Sequence, residues 1–112
     1  MEQEERLQRY FQILSDINRL RIIKFIGNSE RTVSEIVTEL NLSQPLISHH
    51  LKTLKNSSLL HTNRKGPFIY YMLSDSRFLD LLGLFEEILP REGAPEEAPM
   101  FCCPGWWKKF SC

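Results

Sequence analysis

One stretch constrains the fold more than any other: the run from Thr32 to Leu54, TVSEIVTELNLSQPLISHHLKTL. Thr32-Val33-Ser34-Glu35 has the form of a capping box, in which the hydroxyl accepts a first-turn amide and the Glu reaches back. Val33, Ile36, Val37 and Leu40 follow at helical spacing, which predicts a short helix ending near Leu40. Asn41-Leu42 leaves room only for a tight connection. Ser43 then caps a second helix, with Pro45 in its first turn, where a missing N–H costs nothing. Leu46 or Ile47, then Leu51 and Leu54, form its inward stripe. A short helix, a tight turn and a second helix make a helix-turn-helix.

The flanking segments complete the architecture. Leu7, Tyr10, Phe11 and Leu14 recur at spacings of three and four, so Glu2 to Leu14 reads as an amphipathic helix. Asp16 caps a further helix, with Leu20, Ile23 and Ile26 near one stripe and Gly27-Asn28 as its stop. After the helix pair, Leu59 to Thr62 and Phe68 to Leu73 are rich in β-formers around Arg64-Lys65-Gly66-Pro67, which predicts a hairpin with Gly66 at positive φ. Ser76 to about Leu89 is a last helix that is apolar nearly all round, through Phe78, Leu79, Leu81, Leu82, Leu84, Phe85 and Ile88. Such a helix needs cover on both sides, and in so small a domain a second subunit supplies it most easily. The expected fold is mainly α with a β-hairpin wing, a winged helix-turn-helix. Residues 1–89 form the DNA-binding and dimerisation domain, 90–99 a Pro/Glu-rich linker, and 100–112 a Cys/Trp-rich tail.

Charge distribution points to the ligand. The formal net charge is zero, yet Leu40 to Ser74 contains no Asp or Glu and holds Lys52, Lys55, Arg64, Lys65 and all three histidines. Local fields, not the total, meet phosphates. The second helix of the pair enters a DNA major groove by its N-terminal end. Its outward residues are Gln44, Pro45, Ser48, His49, Lys52 and Lys55. Gln44 suits adenine, Ser48 and His49 reach base edges, and the lysines suit phosphates. Ser43 and the amides of the helix start suit a phosphate as well. Arg64 and Lys65 lie at the hairpin tip, over the backbone or the minor groove. His50 falls on the side of Ile47 and Leu54, as a half-buried packing histidine. Adjacent histidines on a helix point about 100° apart, so His49-His50 is not a zinc pair.

Other classes are disfavoured. There is no phosphate loop, no HExxH, no nucleophile–base pairing and no CxxC beside a βαβ pattern, so the chain does not read as an enzyme. No apolar run approaches the roughly 20 residues of a membrane span, and the start MEQEERLQRY lacks a signal-peptide core, so the expected location is the cytoplasm. Thiols there stay reduced and read as ligands or redox sensors.

The runs LSDINRLRIIKFI, TVSEIVTELNLSQPLISHHLKTLKNSSLL and RKGPFIYYML together resemble the ArsR/SmtB family of winged-helix repressors, over roughly Leu14 to Leu73. The resemblance implies a homodimer built from the first and last helices, here through Leu7, Tyr10, Phe11, Leu14, Phe78, Leu81, Leu82 and Phe85. It implies a repressor on a two-fold symmetric double-stranded DNA operator, released by an inducer. Two of the family's inducer sites do not carry over. Thr32 and Ser34 stand where the arsenic-type site of the third helix has its Cys-x-Cys, and the last helix offers Asp75, Asp80, Glu86 and Glu87 but no His for a zinc-type site.

That leaves the tail, FCCPGWWKKFSC, which contains every cysteine and both tryptophans of the chain. Thiolates are ligands for soft, thiophilic species. Adjacent cysteines are poorly placed for a relaxed mutual disulfide but both reach one centre with narrow bond angles, such as a trivalent arsenical. Some arsenical-sensing family members have a vicinal pair near the C-terminus, and Cys102-Cys103 with Cys112 is similar to that pattern. Three sulfurs suit arsenite or antimonite; two suit an organoarsenical screened by Phe101, Trp106, Trp107 and Phe110. No permanent cofactor is expected. Two alternatives stay open: a redox or persulfide sensor with a disulfide from Cys102 or Cys103 to Cys112, and a tail that only packs.

Overall fold

The computed structural model of the chain describes residues 2–90. The linker and tail expectations, with Cys102, Cys103 and Cys112, lie outside the described residues. The chain divides into two units, one up to Leu79 and one from Asp80 onward.

The first unit is built from capped helices. Helix α1 spans Gln3–Leu14 and α2 spans Ile17–Ile26. The Asp16 carboxylate accepts the amides of Asn18 (2.9 Å) and Arg19 (3.4 Å), which satisfies two orphan donors at the start of α2. Gly27 ends α2 at φ +52°, a left-handed value that a side chain adopts only with strain, while its amide donates to the Ile23 carbonyl. Strand β1, Arg31–Thr32, follows.

Helix α3, Val33–Leu40, starts on the capping box that the sequence predicts: the Thr32 hydroxyl accepts the Glu35 amide at 3.3 Å, and the Glu35 carboxylate accepts the Thr32 amide at 3.4 Å. Asn41 closes α3 in the left-handed region, with its amide on the Val37 carbonyl. Helix α4, Gln44–Asn56, begins just past it, with the Ser43 hydroxyl accepting the Leu46 amide. The helix pair and its tight turn are therefore present where expected.

Strands β2 (Leu60–Lys65) and β3 (Phe68–Leu73) form the hairpin, in a register that sets Leu60 opposite Leu73 and Lys65 opposite Phe68. The strand before the turn runs to Lys65, past the Thr62 end that its β-formers suggest, so the turn narrows to Gly66-Pro67, with Gly66 at φ +62°. The sheet has a third strand that the sequence pattern does not reveal. β1 pairs antiparallel with β3, giving the order β1-β3-β2. Two residues are too few to show alternation.

The core sits where α2, α3, α4 and β2 meet. Ile22, Ile23, Ile26, Ile36, Ile47, Leu51, Leu54 and Leu60 are buried. Of the Leu46/Ile47 alternatives, Ile47 goes inward and Leu46 outward. Helix α1 has no buried residue; Leu7 and Phe11 are exposed, Leu14 is half-buried, and the Tyr10 hydroxyl donates to the Ser57 carbonyl at 2.9 Å. Helix α5, Arg77–Ile88, likewise has no buried residue, with Leu81, Leu84, Phe85 and Ile88 exposed and Phe78 and Leu82 half-buried. Among the described residues, none of α5 is buried.

Burial pushes the Asp16 carboxyl up, but the amides of Asn18 and Arg19, with the nearby His50 and Arg19, more than offset it, and the group lies below its ordinary value. Its cap therefore stabilises the fold above the unfolded carboxylate pKa and is lost as pH falls through the lowered folded value. Asp16→Ala is expected to cost about 1 kcal/mol at neutral pH, measured by urea unfolding, with the gap to wild type closing in acid. A gap that persists undiminished in acid would show that packing, not the charge, carries the effect.

Candidate nucleic-acid interface

Helix α4 has two chemically distinct faces. Ile47, His50, Leu51 and Leu54 are buried, and Gln44, Pro45, Ser48, His49, Lys52 and Lys55 are all exposed. The period of 3.6 produces this split: positions three and four apart share a face. The outward face carries amide, hydroxyl, imidazole and ammonium groups and no carboxylate. It is seated on fully buried side chains, so it is held in place rather than loosely displayed.

The helix start offers less to an anion than the sequence suggests. The Ser43 hydroxyl is occupied by the Leu46 amide and the Ser43 carbonyl by the Ile47 amide, and Pro45 has no N–H. Among the described residues this leaves the Gln44 amide as the first-turn donor with no hydrogen bond in the helix start.

The wing residues are not equivalent. Arg64 is exposed, and its Nε–H reaches only the nearby Gly66 carbonyl at 3.5 Å. The Lys65 ammonium lies 2.8 Å from a Glu30 carboxylate oxygen and 5.1 Å from the centre of the Tyr70 ring. The hydrogen bond to Glu30 raises the Lys65 pKa and outweighs the opposing effect of burial. An exposed pair of this kind is worth little to stability, but it gives the ammonium a competitor for any phosphate. The sequence places Arg64 and Lys65 together at the tip; it carries no signal that Glu30 reaches one of them.

Two further acids of the first unit are similarly engaged. Arg31 donates to Glu35 at 3.3 Å and lies 4.6 Å over the Phe25 ring, and the Arg31 hydrogen bond leads the effects that lower the Glu35 pKa. Asp75 is drawn down to about 2 by its hydrogen bonds with the Arg77 side chain and backbone. Lys52 and Lys55 on α4, and Arg64 on the wing, have no ion pair among the described residues.

His50 is more deeply placed than a half-buried residue, at 4% exposure. Its Nδ1 accepts the Arg19 Nε–H at 3.1 Å, so this nitrogen is unprotonated. His61 is exposed, 3.4 Å from the Ser74 hydroxyl. Among the described residues no group of three or more His, Cys, Asp or Glu side chains is placed to hold a metal ion. No helix among them is long and apolar enough to cross a membrane.

A helix-turn-helix followed by a β-hairpin, with a buried-backed polar and basic face, defines a winged helix-turn-helix DNA-binding domain. Residues 16–62 match the model of the arsR family of bacterial regulatory proteins. The transcriptional repressor SdpR of Bacillus subtilis is 37% identical over 70 residues, covering 62% of this chain and 78% of SdpR. A probable mercury resistance operon repressor of Streptomyces lividans is 34% identical over 95 residues, covering 85% of this chain and 73% of its own. Among solved structures, the homodimeric winged helix-turn-helix DNA-binding domain of Mb0332 from Mycobacterium bovis, a possible ArsR-family transcriptional regulator, superposes with a TM-score of 0.68 at 25% identity, covering 75% of this chain and 78% of that one. The chain belongs to the arsR family, whose members are DNA-binding transcriptional regulators and not enzymes.

The two wing cations are expected to separate in a salt titration of DNA binding. Arg64→Gln should reduce the slope of log K against log salt by about 1. Lys65→Gln should leave the slope nearly unchanged, because Glu30 already holds that ammonium. Equal reductions would mean that Lys65 leaves Glu30 for a phosphate.

Proposed function

We propose that this protein is a cytoplasmic, homodimeric repressor that holds an operator through α4 and the wing and releases it when a thiophilic inducer binds the C-terminal cysteines. The observation that carries the DNA part is the exposed, carboxylate-free face of α4 backed by Ile47, His50, Leu51 and Leu54. Gln44, Ser48 and His49 are the base-reading residues, and Ser43, Pro45, Lys52, Lys55 and Arg64 border the backbone, with Lys65 in a secondary role. Two copies of α4 set by a two-fold axis would read a palindromic site, one half-site each.

Dimerisation is supported by two exposed apolar surfaces. Leu7 and Phe11 on α1, and Leu81 and Phe85 on α5, are about half exposed in the single chain, against the usual burial of such residues. With Tyr10, Leu14, Phe78 and Leu82 they form the proposed interface. Phe85→Glu should shift the protein from dimer to monomer in analytical ultracentrifugation and weaken operator binding with it; an unchanged dimer would remove α5 from the interface.

The inducer assignment rests on chemistry. The first two of Cys102, Cys103 and Cys112 are adjacent, and thiolates select soft centres over hard ones. One relative's name ties it to mercury resistance, which is also thiophilic chemistry. A trivalent arsenical is the leading inducer, since one such centre takes two or three sulfurs; a disulfide between Cys102 or Cys103 and Cys112 is the second reading. Inducer binding would act as a shift between a DNA-competent and a relaxed dimer, with a coupling of about 1–3 kcal/mol.

Fluorescence anisotropy of the reduced protein on DNA from its own promoter tests both parts. Arsenite and phenylarsine oxide are expected to release the DNA, and zinc is not. The Cys102→Ser, Cys103→Ser double variant should bind DNA normally and ignore both arsenicals. Release by phenylarsine oxide alone would assign the site to two sulfurs. Release only by an oxidant, reversed by a reductant, would favour the disulfide. Loss of DNA binding in the double variant would overturn the separation of the two roles.

A further inference from the structure

The only buried polar residue among those described is a histidine, and it sits on the hidden side of the helix that faces DNA. An apolar side chain would fill the same place next to Ile47, Leu51 and Leu54. What His50 adds is an acceptor. Its Nδ1 takes the Nε–H of Arg19 at 3.1 Å, and Nη1 of the same guanidinium donates to the Ile13 carbonyl at 3.1 Å. One side chain of α2 therefore joins the C-terminal end of α1 to the middle of α4. A guanidinium is planar and its donors are rigidly spaced, so the two bonds constrain direction as well as distance.

We infer that Arg19 and His50 are positioning residues for DNA binding: their tie sets the depth and rotation of α4, and proton uptake by His50 releases it. The inference rests on the reading of α4 as the DNA-contacting helix. Protonation turns Nδ1 from acceptor into donor, so it faces the Arg19 N–H with no lone pair to offer and with a charge of the same sign. The bond must break, and the ring must turn or move toward water. His50 is the central residue of α4 and directly follows Ser48 and His49 in the chain, so a displaced ring moves the exposed groups nearest to it.

The surroundings determine when this happens. Burial is the largest influence on the ring and disfavours its charge; Asp16, at the cap of α2, favours the charge; Arg19 on α2 and His49 on α4 oppose it. No charged group of α3 or β2 acts on the ring among the described residues. The net effect holds the His50 pKa below its ordinary 6.5. With a depressed folded value, the tie is fully present above the unfolded pKa and is lost as pH falls through the folded one.

The test has one arm without DNA and one with it. In the first, the His50 ring and the amides of Leu46, Ile47, Ser48 and His49 are followed by NMR as the full chain is acidified. The amides are expected to titrate with the His50 ring, and in His50→Gln, which keeps an uncharged acceptor, that titration should vanish. In the second arm, affinity is measured for a duplex selected by the protein from a random pool, relative to an unselected duplex, at about pH 7.5 and at the acid end of the His50 titration found in the first arm. The wild-type ratio should fall about tenfold on acidification. His50→Gln should hold its ratio, and Arg19→Gln should show a low ratio at both values with its fold intact by circular dichroism. His49 and His61 are present in every variant, so the comparison cancels them. Amides of α4 that ignore the His50 ring, or a His50→Gln ratio that falls like wild type, would overturn the inference. If no duplex is selected, the reading of α4 as a DNA helix fails, and the ring titration still decides whether the tie exists. Should Arg19→Gln not fold, His50→Gln and the ring titration decide alone.

Discussion

The seating of α4 is the constraint on which the rest depends. A helix that reads DNA must keep its outward side chains in one orientation, and a helix this short has no such rigidity by itself. Here α4 takes it from its inner face. Ile47, Leu51 and Leu54 are fully buried in the core with Ile22, Ile23, Ile26 and Ile36. The turn before it contributes too: Asn41 in the left-handed region reverses the chain within a few residues, and Ser43 restarts it. Without that reversal α3 would not return against α4, and the outward face would have no fixed backing.

Local pairing decides what the surface offers. The chain is neutral overall, yet its carboxylates and cations are not mixed at random. Glu30 holds Lys65, Glu35 holds Arg31, and Asp75 holds Arg77, while Lys52, Lys55 and Arg64 have no ion pair among the described residues. The result is a cationic strip on α4 and one wing residue. Pairing thus sharpens a charge pattern that the sequence shows only as an acid-free interval. It also separates two adjacent residues, Arg64 and Lys65, that look equivalent in the sequence.

Apolar exposure is divided in the same way. The core takes the residues of α2, α3 and α4, whereas α1 and α5 keep Leu7, Phe11, Leu81, Leu84, Phe85 and Ile88 in contact with solvent in the single chain. Uncovered side chains of this size represent hydrophobic free energy still to be gained on association. In the proposed dimer the copies join through helices outside the α2–α4 core, so their spacing can change without disturbing that core. This arrangement suits a chain whose thiols follow the last helix in sequence.

Much of the architecture was legible in the sequence because it is encoded locally. Caps at Asp16, Thr32 and Ser43, the stop at Gly27, the tight connection at Asn41-Leu42 and the turn at Gly66 depend on residues a few positions apart, and all of them are observed. The outward face of α4 was legible too, since a 3.6-residue period assigns both faces once one is apolar. Contacts across the chain were not. β1 is only a pair of residues and exists because β3 offers it an edge. Nothing in the order of residues says that Glu30 meets Lys65, that the Tyr10 hydroxyl meets the Ser57 carbonyl, or that Arg19 finds His50 thirty-one positions away. The sequence by itself determined the helices, most of their ends and the outward polar face of α4, because short-range sterics and hydrogen bonding settle those. Only the tertiary structure decided which charges are neutralised and which histidine is locked beneath that face, because partners distant in the chain are chosen by packing.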